Sequence, residues 1–345
     1  MNRILRRLML AFILSLVFLI AGQGRVFALS AEEERVAKLI EGAKKEGKLV
    51  FYTAMSISEA VPILKKFEQK YPFIKTDLFR GRGETQVTRI IAEAKAGKTV
   101  ADAVQLGGFQ VHLIKREGAL MKYVSPESRF FPSGFKDPDG YWTDTFMNTN
   151  VMAYNTKLVL PKDAPKSYDD LLDPQWKGKL GMDYQEYEWF SVILKLKGEG
   201  KGLDFMKKLA KQNINFRNGR TLVATLVVAG ESRAAISVYT DRAEMFKKAG
   251  APLEWVPVEP VVAKLHPLAI TAQAPHPNSA KLFVDYLLSK EGQTTFRTLG
   301  NHPSRPDVEP SITRLKGIKL LPSDPREAEN YTNVVTLYKS VFGIQ

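Results

Sequence analysis

The chain has 345 residues, with 50 Lys and Arg against 37 Asp and Glu, a formal net charge of +13, four histidines and no cysteine. Without cysteine there is no disulfide, no thiol chemistry and no lipid-anchoring lipobox. Arg3, Arg6 and Arg7 precede an apolar run from Leu8 to Ala21, and Ala28 and Ser30 offer a cleavage point before Ala31, the pattern of a secretory signal peptide over 1–30.

Removal of residues 1–30 takes away four arginines and no acid, leaving about +9. Export and the scatter of lysines along ordinary amphipathic helices disfavour nucleic acid as the partner and leave an acidic small ligand or the anionic membrane surface. About 315 mature residues exceed one ordinary core, so two lobes are expected.

In chain order, Ser30 and Glu33 form a Ser-x-x-Glu capping box. Val36, Leu39, Ile40 and Ala43 then share a helical face that Gly47 ends. Leu49–Ser56 is an apolar run that breaks into small polar residues, reading as a buried strand that feeds a loop, and Ser56 with Glu59 starts the next helix. Ala60, Ile63, Leu64, Phe67 and Tyr71 continue that helix to Pro72, and Phe73–Phe79 reads as a strand. Val87, Ile90, Ile91 and Ala94 mark a third helix closed by Gly97, followed by a strand over Ala101–Leu106 and a short helix after Gly107-Gly108. Strands alternating with helices of this length predict an α/β fold with a mainly parallel sheet.

Phe146–Tyr154 and Leu253–Val262 are apolar segments about one hundred residues apart, and they are the candidate crossovers between lobes. Between them the spacing predicts a strand over Lys179–Met182, helices over Tyr187–Lys197, Leu203–Lys211 and Leu222–Ala229, and a strand over Ala234–Tyr239.

Enzymatic motifs fail on inspection. Gly97-Lys98-Thr99 lacks the upstream glycine of a P-loop, where Ala92 stands, and Gly81-Arg82-Gly83 has Gln86 at the third glycine position of a dinucleotide fingerprint. His112, His266, His276 and His302 show no metal-binding spacing, and no Gly-x-Ser-x-Gly elbow occurs. The expectation is that the protein is not an enzyme, holds no cofactor and has no metal site of its own.

Lys166–Gly181 (KSYDDLLDPQWKGKLG), Val151–Thr156, Gly230-Glu231 and Pro275–Gly292 resemble the periplasmic solute-binding proteins of ABC importers, of the ferric-iron, phosphonate and polyamine type. The resemblance implies a type II periplasmic-binding fold, two α/β lobes joined by crossover strands, that captures a small solute and delivers it to a membrane permease. The implied division is an N-lobe over 31–148, a C-lobe over 149–257, a return to the N-lobe over 258–298, and a C-terminal helical segment over 299–345 packing on the C-lobe. It also implies a periplasmic monomer.

Ferric-binding members hold iron with a tyrosine pair after the Gly-Glu strand, helped by a histidine and a carboxylate. Here that region offers Tyr239 alone with Thr240 and Asp241, Ser56 stands where the histidine falls, and glycine stands where the acid falls. The expected ligand is therefore a small organic anion, the alternative being ferric iron with a synergistic anion or chelator. A sensor-coupled binding protein and an enzyme on the same scaffold are further alternatives.

The candidate binding residues at the predicted cleft loops are Tyr52, Thr53, Ser56, Arg82, Gly108, Asp183, Tyr184, Arg220, Thr221, Tyr239 and Asp241. Arg220 with Thr221, opening an apolar helix, combines a guanidinium fork with a helix N-terminus and is the leading anion candidate. Trp176 reads as a structural plug before a strand.

Overall fold

The structure, a computed structural model, describes residues 30–344. The signal peptide therefore lies, but for Ser30, outside the described residues. Helix α1 (Ala31–Glu46) opens on the expected cap, Ser30 N donating to Glu33 at 2.8 Å. Gly47, at φ +62°, turns the chain into β1 (Lys48–Thr53), buried from Leu49 onward.

Helix α2 (Ile57–Lys70) carries the predicted box, with Ser56 N donating to Glu59 at 3.1 Å. There follow β2 (Lys75–Arg80), α3 (Gly83–Lys95), β3 (Ala103–Gln105), α4 (Gly108–Arg116) and the short β4 (Leu120–Met121). β1 runs parallel between β2 and β3, with Tyr52 opposite both Phe79 and Val104. Each helix returns the chain to the same edge, so the loops after β1, β2 and β3 gather at the carboxyl ends of the strands.

Strand β5 (Trp142–Asn155) is 14 residues long, about 45 Å when extended, enough to serve two sheets. Its first half pairs antiparallel with β10 (Val261–Thr271), while Asn150–Asn155 pairs with β8 (Ala234–Tyr239) and β9 (Leu253–Val256). Beyond β8 lie β6 (Leu180–Asp183) and β7 (Asn215–Arg217), parallel to each other, giving the order β2-β1-β3-β10-β5-β8-β6-β7. Helices α5 (Tyr187–Lys197), α6 (Glu199–Ala210), α7 (Arg220–Ala229) and α8 (Thr240–Lys248) connect these strands.

The sheet is mixed rather than mainly parallel, because β5 and β10 run against their neighbours. Leu253–Val262 is not one crossover strand. Pro257 and Pro260 interrupt it, since proline brings no N–H to a ladder, and β9 and β10 stand on either side.

After β10 come α9 (Pro277–Leu288), α10 (Lys290–Thr298), β11 (His302–Pro303), β12 (Leu320–Pro322) and α11 (Tyr331–Phe342). α9 buries Ala280, Phe283, Val284 and Leu287, the stripe its spacing predicts. β11 adds to β5 and β12 to β10. Tyr338 and Phe342 of α11 pack against Phe190 and Phe216, in a cluster centred on Trp176, Trp189, Phe190 and Leu209. Residues 325–330 instead reach α4, where His112 meets Glu329 at 2.8 Å.

Candidate functional site

The carboxyl ends of the two parallel strand sets border a cavity of about 640 Å³. Its wall includes the opening residues of four helices: Glu84 of α3, Gly108 of α4, Tyr187 of α5 and Arg220 of α7. None of these four N-termini has a side-chain cap. α6, α8 and α11 also lack a side-chain cap, whereas Glu46 accepts from Asn278 N and Ser279 N at the start of α9, and Ser289 caps α10. Uncapped N–H groups and the aligned helix dipoles make this wall electropositive out of proportion to its side chains.

The side chains largely neutralise one another. Arg220 Nε approaches Glu186 Oε1 at 2.6 Å, Nη2 donates to Oε2 at 2.8 Å, and Nη1 donates to the Tyr239 hydroxyl at 2.9 Å. Glu186 is fully buried, and burial raises its pKa in spite of Arg220. Desolvation opposes the Arg220 charge, but Glu186 and then Tyr239 outweigh it and hold the guanidinium charged. Lys264, on β10, lies 3.2 Å from Glu188 Oε2 in the first turn of α5. Glu188 and Tyr239 raise the Lys264 pKa. Desolvation would raise Glu188, but Lys264 and a hydrogen bond with Ser323 reverse the direction.

Of the eleven candidates, Gly108, Asp183 and Arg220 line the cavity and Tyr239 adjoins it through Arg220. At Gly108 a Cβ would stand 3.1 Å from the Pro325 ring, so the close approach of α4 to the 325–330 segment requires a small residue. Asp183 is bound locally, accepting from Gln185 N at 3.2 Å.

The other placements correct the sequence reading. Tyr52 is buried beneath α3, its hydroxyl donating to Glu93 at 3.2 Å, and desolvation with Glu93 pushes its pKa up to about 12. Thr53 is buried and already engaged, donating to Gln105 and accepting from Met55 N. Ser56 is occupied by the capping box. Arg82 and Thr221 are exposed and outside the cavity wall, and Tyr184 is turned toward Gln185. Asp241 borders a separate crevice of about 20 Å³, with its side chain 41% exposed.

Sequence reasoning missed Lys264, Glu186, Glu188, Gln110, Tyr187 and Tyr331. A lysine within the mainly apolar segment Val261–Thr271 was a readable signal for Lys264, because a charge there costs too much without a partner. The Glu-Tyr-Glu triplet at the start of α5 was a weaker one.

Among curated proteins, the chain is 28% identical over 265 residues to an uncharacterized protein of Haemophilus influenzae, covering 73% of this chain and 75% of that one. It is 26% identical over 194 residues to a Fe(3+)-binding periplasmic protein of Serratia marcescens, where it spans 53% of this chain and about half, 54%, of the relative. The structure of the periplasmic binding protein AfuA from Actinobacillus pleuropneumoniae, with exogenous fructose-6-phosphate bound, superposes with a TM-score of 0.68 at 26% identity, covering 87% of this chain and 99% of that one. Iron-bound HitA from Pseudomonas aeruginosa shares the fold at a TM-score of 0.69 and 23% identity, covering 85% and 99%. Residues 63–319, well over half of the chain, match the family described as bacterial extracellular solute-binding protein, and with its two-lobed type II architecture the chain belongs to that family.

Proposed function

We propose that the protein is the periplasmic solute-capturing component of an ABC importer, a monomer that holds a small anionic solute between its lobes and hands it to a membrane permease without transforming it. The observation that carries this reading is the convergence of four uncapped helix N-termini on one cavity. Such N–H groups suit an oxyanion and bind it without a counter-charge of their own. A cavity of about 640 Å³ matches an organic ligand rather than a bare ion. The sugar phosphate in the AfuA structure supports the same chemistry.

A second reading, ferric iron held with an anion or chelator, is favoured by the Serratia relative's description. Direct coordination fits poorly, because the one tyrosine at the expected place accepts a hydrogen bond from Arg220 and faces positive charge. A hard trivalent cation needs several anionic oxygens.

A panel of phosphate, a phosphonate, a hexose phosphate and a soluble ferric salt separates the readings by calorimetry, small-angle scattering and visible absorption. The expected result is that an organophosphate or phosphonate binds and compacts the particle, while the ferric salt leaves the protein colourless. A strong visible band that disappears in Tyr239→Phe would transfer the assignment to iron.

A further inference from the structure

Among the cations of the cavity wall, Arg220 and Lys264 are held differently. Arg220 is committed through three nitrogens to Glu186 and Tyr239. Lys264 has one ionic contact, at 3.2 Å, and its side chain keeps 31% exposure against 16% for Arg220. An ammonium carries three donors. Glu188 also keeps spare capacity: its carboxylate faces Lys264 through Oε2 and is hydrogen-bonded with Ser323, while Oε1 is buried without a hydrogen-bond partner of its own.

The two residues come from opposite sides of the junction. Lys264 lies opposite Asn148, two residues before β5 begins its pairing with β8, whereas Glu188 stands in the helix that follows β6. The contact joins the crossover strand to α5 and is made by groups that each retain capacity for a further partner.

We propose that Glu188 is a built-in competitor of the solute: its carboxylate occupies Lys264 in the empty cleft, and the solute's anionic group displaces it. The inference rests on the reading of this cavity as the site of an anionic solute. A competitor fixed in the wall sets a threshold, because an incoming group must satisfy the ammonium better than a single carboxylate oxygen does. A phosphoryl or phosphonyl dianion, with more charge and three acceptor oxygens, meets that threshold, and a monocarboxylate does not. Glu188 is then a specificity-determining residue that need not touch the solute.

The test is titration of inorganic phosphate into the mature protein and its Glu188→Gln, Lys264→Gln and doubly substituted forms at low ionic strength, with a thermal melt of each. Glu188→Gln is expected to bind phosphate about tenfold more tightly and Lys264→Gln about tenfold more weakly, and the gain should vanish when both changes are present. Where Glu188→Gln melts early, Glu188→Met repeats the measurement with the volume kept and the charge removed. Unchanged or weaker binding in Glu188→Gln overturns the inference. So does a gain that persists without Lys264, which would be long-range charge removal instead of competition. Binding in the wild type with no gain in Glu188→Gln sinks this inference alone, whereas binding by none of the four forms sinks it together with the anion reading.

Discussion

Replacing Arg220 with alanine should destabilise the protein by about 3–5 kcal/mol at neutral pH, because it leaves a buried carboxylate without its partner. Glu186 has no exposed surface, and Arg220 supplies its charge-assisted contacts. The loss should be smaller in mild acid. Burial raises the Glu186 pKa above the ordinary carboxylate value of 4.5, so the folded carboxyl binds its proton more tightly than the unfolded one. Stability therefore falls as pH rises from that ordinary value through the raised one. Without Arg220 the folded value climbs further, so Arg220→Ala should lie closest to the wild type at the acid end. Denaturant melts at several pH values check this, with Arg220→Met combined with Glu186→Leu as a control that removes both charges and should recover much of the loss. An Arg220→Ala protein that melts like the wild type and loses only affinity would show the fork to be free for the solute, as the sequence alone suggests.

Trp176→Ala should cost about 3–5 kcal/mol through the cavity it leaves, with solute affinity unchanged below the melting transition. Its side chain is 2% exposed within the cluster of Trp189, Phe190 and Leu209, away from the cavity wall. Trp176→Phe should cost clearly less, since the indole Nε1 is buried without a hydrogen-bond partner and its removal relieves an unpaired donor. Calorimetry at low temperature beside a thermal melt separates the two effects. Equal losses in Trp176→Ala and Trp176→Phe, or a change in affinity, would contradict this account.

The elements most legible in the sequence were those with local signals. Tyr187–Lys197 and Ala234–Tyr239 appear with the bounds their spacing predicts, and the Ser56–Glu59 box is formed. β10 was cut short in the sequence reading because Lys264, His266 and Pro267 interrupt its apolar run, and Lys264 does so on account of the cavity it faces. Arg220 lines the cavity, but its fork is engaged by Glu186, a partner the sequence does not suggest. Glu186 precedes it by 34 residues, and the two meet only because β6 and β7 lie side by side. Tyr52 was misplaced for a simpler reason: the run Leu49–Thr53 is buried on both faces, so its pattern could not say which side chains reach the cleft.

Native mass spectrometry of protein freshly extracted from the periplasm of expressing cells tests the central claim most directly, because a closed cleft retains its solute through mild purification. The account predicts a satellite peak heavier than the mature chain by the mass of one small organic anion, released by gentle collisional activation and exchanged by an added phosphonate or sugar phosphate. A single unliganded mass that no small anion shifts, or a retained species that is a bare metal ion, would contradict it.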